Sequence, residues 1–127
     1  MAGYSQTPLL KKLGYKEGDS INLRGGPDWL VAKLIAGNIK VTNATNTTWA
    51  HWFVYSVSEL NHQLASFPLE DIEKGLWVSW PKKTSKLKTD LTEQALRNLI
   101  LPIGWVDIKV AAIDDTWSGL KFTRRIT

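Results

Sequence analysis

WAHWFVYSV, residues 49–57, is the most apolar stretch of the chain. Its hydrophobicity is nearly continuous, with aromatic and β-branched types throughout, so it reads as a strand covered on both faces and central in its sheet. Working outward, Ile21 and Leu23 alternate with polar neighbours as a short strand, and the turn at 24–28 (RGGPD) separates it from an apolar helical stretch at 29–35. Gly37 and Asn38 end that helix, 39–41 reads as a second strand, and the polar run 42–48 as a loop. On the other side, Ser58 is expected to cap a helix whose Leu60, Leu64 and Phe67 share a face, and 76–80 (LWVSW) reads as another inner strand.

Asp90-Leu-Thr-Glu93 has capping-box spacing and precedes Leu96, Leu99, Ile100 and Ile103 at helical intervals. Val106, Ile108, Val110 and Ala112 then alternate as a strand with one well-buried face. A turn at 114–119 leads into a returning strand through Leu120, Phe122 and Ile126. Residues 1–18 form an N-terminal arm in which Pro8 to Leu13 makes a short helical turn closed by Gly14. Strand-helix alternation followed by a hairpin implies an α/β class. The expected architecture is a Rossmann-like three-layer fold, a mostly parallel sheet with helices on both faces and a C-terminal antiparallel hairpin. Residues 1–127 fit one such domain. The order also resembles a shortened S-adenosylmethionine-dependent methyltransferase fold. The glycine fingerprint of nucleotide binding is missing, because LRGGP at 23–27 does not align to G-x-G-x-x-G, so no cofactor is expected.

Composition excludes several chemistries. With no cysteine there is no disulfide, thiolate metal site or thiol nucleophile. Nowhere do eighteen apolar residues run together, so no membrane span is expected, and the absence of cysteine fits a cytoplasmic location. His51 reads as a core residue and His62 as a surface one, and two adjacent carboxylates without histidine are a poor ligand set, so no metal site is expected. Basic residues gather at Lys11, Lys12 and Lys16; at Lys82, Lys83, Lys86 and Lys88; and at Lys121, Arg124 and Arg125. Without interleaved exposed aromatics or a recognition helix they do not point to nucleic acid.

In open α/β sheets ligands sit beyond the carboxyl ends of the strands. That places as candidates the loops 24–28, 56–58 and 79–85 and, if the strand before it runs parallel to the rest, 114–118. The second basic group follows Trp80-Pro81, and Lys82 and Lys83 beside Thr84 and Ser85 have the chemistry to hold a phosphate or carboxylate. Asp114, Asp115, Trp117 and Ser118 belong to the same expected edge, with Trp80 and Trp117 as ring surfaces or lid. The leading reading is a non-catalytic module binding a small anionic ligand or a partner. Its rival is a reduced methyltransferase-like or phosphate-substrate enzyme with Asp114 as base, and a third reading is a homodimer surface.

Three stretches, GYSQTPLLKKLGYKEG, LWVSWPKKTSKLKTDLTE and VDIKVAAIDDTWSGLKFTRR, resemble short bacterial proteins grouped as domain of unknown function 3052. The resemblance implies a bacterial, cytoplasmic Rossmann-like protein and carries over no activity, cofactor or catalytic residue. It departs at Ala111, where the family has a cysteine, and at 24–28, where its loop differs.

Overall fold

The apolar run lies in β3 (Thr47–Phe53), where every residue except Thr48 is buried. The computed structural model describes residues 8–125. Within them β3 is flanked by two parallel partners, β1 (Ser20–Arg24) and β4 (Ile72–Pro81). β2 (Lys40–Thr42) pairs in parallel with the far side of β1. β6 (Trp117–Arg124) is antiparallel to β4, and β5 (Trp105–Ala112) is antiparallel to β6. The six-stranded order is β2-β1-β3-β4-β6-β5. Two successive antiparallel steps return β5 to the direction of β4, so the 114–118 turn does lie on the same edge as the exits of β1, β3 and β4.

Helices cover both faces. α1 (Leu9–Leu13) and α2 (Asp28–Ala36) pack with Ile21, Trp49 and Trp77, while α3 (Val57–Ser66) and α4 (Glu93–Ile100) pack with Trp52, Leu76 and Phe122. Alternation along β3 explains the division: Trp49 and Phe53 point to the α1/α2 layer, Ala50 and Trp52 to the other. A strand with large rings on both faces requires both layers, which is why its apolar run is unbroken. Leu13 and Tyr15 bury the arm against the sheet, and residues 1–7 and Ile126 lie outside the described part. Among the described residues no helix is long and apolar enough to cross a membrane.

Several local expectations are corrected. β3 begins at Thr47, inside the stretch expected to be loop, and ends at Phe53. The α3 cap is Ser56, whose hydroxyl accepts from the Glu59 amide at 3.1 Å, while the Glu59 carboxylate accepts from the Tyr55 amide at 2.7 Å. Ser56 and Glu59 thus cap α3 between them, with Glu59 taking the amide before the cap, and Ser58 is exposed at the second helical position. The cap of α4 is Thr92, which accepts from Ala95 N–H at 3.0 Å, and not Asp90.

The largest correction concerns β5. Its apolar alternation is not a buried face, since Ile108 is 55% and Val110 48% exposed while Trp105 and Ala111 are buried. Asp107 pairs with Phe122 and Lys109 with Lys121, which leaves Ile108 as the extra residue of a bulge. One inserted residue reverses the inside-outside phase of everything beyond it.

Candidate functional site

Strand order reverses between β1 and β3, because the chain passes from β1 through α2 outward to β2 and then returns to the other side of β1. In such sheets the crevice at this reversal is where a nucleotide cofactor is held. Here the residues do not fit one. Gly25 and Gly26 have left-handed φ values of +69° and +94°, and a Cβ at position 26 would stand 2.8 Å from the Phe53 ring. The glycines thus admit close approach by a side chain of this same chain where a cofactor would need it. Phe53 is only 3% exposed, stacks on His51 with centroids 4.5 Å apart and meets Trp117 edge-on at 5.0 Å. The neighbouring N-terminus of α3 is also occupied: Asp90 Oδ1 accepts from Val57 N–H at 2.8 Å, supplying the negative charge that a helix start favours.

One strand further on, the same edge is open. A cleft of about 470 Å³ lies between the end of β4 and the first turn of α4. Trp80, Lys82, Lys83 and Thr84 line it from β4 and its exit, Ser118 from β6, and Thr92, Gln94 and Arg97 from the α4 side. Trp80 and Ser118 are cross-strand partners. Lys82 is held in place through its backbone, its N–H donating to Thr116 O at 2.8 Å. Among the described residues neither the Lys82 nor the Lys83 ammonium reaches a carboxylate, as the ion pairs there are those of Arg97. Thr92 takes the Ala95 and Leu96 amides through its hydroxyl and carbonyl, which leaves the Glu93 and Gln94 amides without partners inside the helix.

Arg97 is a cleft-lining cation with its charge already matched. It bonds Asp107 at 2.9 Å and Glu93 at 3.0 Å, and these hydrogen bonds raise its pKa while the one from Arg97 lowers that of Asp107. Both groups are solvent-exposed enough that the pair positions α4 against β5 more than it stabilises the fold.

Of the residues singled out by sequence, Trp80, Lys82, Lys83, Thr84 and Ser118 converge on the cleft, and four do not. Ser85 Oγ donates to Lys82 O at 2.6 Å and accepts from Leu87 N–H, so it shapes the turn. Asp114 Oδ1 accepts the Thr116 and Trp117 amides, both at 2.8 Å, and Asp115 is exposed at the hairpin tip. Trp117 is buried on the opposite face against Phe53 and Tyr55, because neighbouring strand positions point to opposite sides. Sequence reasoning missed Thr92, Gln94 and Arg97. Threonine at a helix start was the available signal, and choosing Thr92 over Asp90 as cap would have brought the first turn of α4 beside Trp80 to Thr84.

His51 is fully buried, its Nδ1 2.8 Å from the Tyr15 hydroxyl and its Nε2 2.8 Å from Ser79 Oγ. Burial lowers its pKa from 6.5 to about 3, so the imidazole is neutral and one hydroxyl donates to it while the other accepts. Burial, with a smaller contribution from the charge of Asp19, raises the Tyr15 pKa well above its ordinary value. Ser79 is also fully buried, which makes the trio an interior tether between arm, β3 and β4.

A protein of the NADB-Rossmann superfamily from Streptococcus agalactiae has a similar structure, with a TM-score of 0.63 over 98% of this chain and 71% of its own at 10% identity. The fold is Rossmann-like. At that identity the likeness extends to architecture alone. A ribosomal protein L11 methylase from Lactobacillus delbrueckii subsp. bulgaricus aligns with 91% of this chain and 62% of its own, at 16% identity and a TM-score of 0.39. No family model and no curated protein matches the Rossmann-like chain, and the resemblance to domain of unknown function 3052 is not supported.

Proposed function

We propose that this chain is a non-catalytic module that binds a small anionic ligand, bearing phosphate or carboxylate, in the cleft between β4 and α4. The observation that carries the reading is the pair of ammonium groups, Lys82 and Lys83, at a cleft of about 470 Å³ walled by Trp80 and faced by the start of α4. Lysine ammoniums and unpartnered helix amides are complementary to an oxyanion, and charge-assisted contacts of this kind are the stronger class. Arg97 is shared by Glu93, which also lines the cleft, and Asp107, so this wall carries one carboxylate in excess against the two positive charges of Lys82 and Lys83.

A methyltransferase-like enzyme using the same lysines has two observations against it. The crevice at the strand-order reversal is filled by Phe53, and Asp114, the base in that scheme, already accepts two backbone amides through one oxygen.

The test is thermal. Phosphate or sulfate is expected to raise the melting temperature beyond chloride at equal ionic strength, by mass-action linkage. Lys82→Ala/Lys83→Ala is expected to remove that anion-specific part while keeping the general stabilisation that sulfate gives through surface exclusion. Equal responses in parent and double variant would overturn the reading.

A further inference from the structure

The first and third basic groups of the sequence are far apart in the chain but meet in the fold. Lys12 lies in α1, Lys109 in β5 and Lys121 in β6, all against the α1 layer and so on the opposite face of the sheet from the cleft. Lys109 and Lys121 are direct cross-strand partners. Like charges in that relation are destabilising. Lys109 Nζ donates to Lys12 O at 3.1 Å, and Lys12 Nζ donates to Ala112 O at 3.2 Å. Lys121 Nζ lies 4.6 Å above the Trp49 ring and 5.8 Å from that of Trp77.

Of these ammonium groups it is that of Lys121 that lies over the two indole rings, with Lys109 as its cross-strand neighbour, while that of Lys12 is tied to Ala112 at the end of β5. Among the described residues none of them has a carboxylate within salt-bridge distance, the ion pairs there being those of Arg97. Asp19 is on the same face, but its Oδ2 accepts from the Trp49 indole and from the Lys16 amide. The backbone contacts account for one N–H each of Lys12 and Lys109 and help tie the arm to the hairpin. They do not neutralise the charge, and an ammonium has three donors.

We infer that Lys109 and Lys121 form a second anion site, separate from the cleft, that takes a phosphate group of a small molecule. Gly14 keeps this site open: its φ is +91°, and a Cβ there would stand 3.0 Å from Lys121 Nζ. Trp49 and Trp77 hold the Lys121 ammonium from below, so the phosphate approaches from the solvent side. The electrostatics agree, since burial first and the charge of Lys109 second lower the Lys121 pKa, and a bound anion reverses the second effect.

The experiment follows the Lys121 side chain by NMR through a pH titration of the full chain, with and without pyrophosphate. The expected result is that pyrophosphate moves the Lys121 titration back up toward the ordinary lysine range, while sodium chloride of equal ionic strength does so less. The same shift is expected in Lys82→Ala/Lys83→Ala, which separates this site from the cleft. An unchanged titration, an equal response to chloride, or a response lost in the double variant would each overturn the inference.

Discussion

At the ends of β1 and β3 the Rossmann-like frame closes its own crevice, whereas one strand away, at the end of β4, it leaves a cleft open. The closed side is made of Phe53 beneath the Gly25-Gly26 turn and of Asp90 at the start of α3. The open side has lysines whose ammonium groups carry no structural contact among the described residues. Strand order fixes where a ligand can be held, but the side chains at each exit decide whether it is. A ring in the closed crevice contributes to the core, while a cation at the open one is left for solvent or ligand.

Phe53→Ala removes the filler of the closed side. If the ring is an integral filler, stacked on His51 and wedged against Trp117, its removal is expected to destabilise the protein by about 3–5 kcal/mol in urea denaturation. Calorimetry on the same variant, if it folds, is expected to show no tight S-adenosylmethionine binding, because emptying the space does not supply a glycine fingerprint. A loss under about 1 kcal/mol would mean that the Phe53 ring does not fill the crevice.

Beneath Phe53, His51 gives the closed side a pH signature. Its pKa is about 3 in the folded chain against 6.5 for the free group, so the unfolded state binds more protons between those values. Stability is therefore lost as pH falls below 6.5, by at most about 1.4 kcal/mol per pH unit. Asp107, held down by Arg97, adds a loss of its own only at lower pH, around and below 3.8. Urea titrations just below 6.5 thus isolate the histidine, and His51→Leu is expected to flatten the slope there while lowering stability overall by stranding the Tyr15 and Ser79 hydroxyls. A slope unchanged in the variant would assign it elsewhere.

Asp90→Ala tests the other half of the closure. Loss of a side-chain acceptor at a helix start is expected to cost on the order of 1 kcal/mol, read as a lower urea midpoint with unchanged slope. The anion response of the cleft is expected to survive this change. If it disappeared, the two exits would be one site.

The sheet was legible in the sequence wherever burial was extreme. The unbroken apolar run of β3 could only be a strand covered twice, and Leu120 and Phe122 placed the returning strand correctly. What stayed hidden depends on single residues of phase. The bulge at Ile108 exchanges faces without changing composition, so an alternating pattern looked like a buried face and is an exposed one. Trp80 and Trp117 looked equivalent beside the same edge, yet register puts one on the α4 layer and the other under Phe53 and Tyr55. The cleft lysines were legible because a proline-terminated strand must eject them at its end; the α4 wall was not, because Asp90 and Thr92 are both competent caps and only packing chooses between them.

The smallest expected effect is the most discriminating for the open side. Lys82→Ala/Lys83→Ala is expected to change stability in the absence of added anion by less than about 1 kcal/mol, because exposed charges without partners contribute little. The sign is expected to be a slight gain at low ionic strength, since the chain has a net charge of +4 and removing two positive charges reduces its self-repulsion. With rising salt the two proteins are expected to converge, as screening removes the difference. Urea midpoints measured across a series of chloride concentrations supply both readings. A loss above about 2 kcal/mol at every salt concentration would show that the lysines belong to the scaffold, as Phe53 and Asp90 do, and the contrast between a closed exit and an open one would fail.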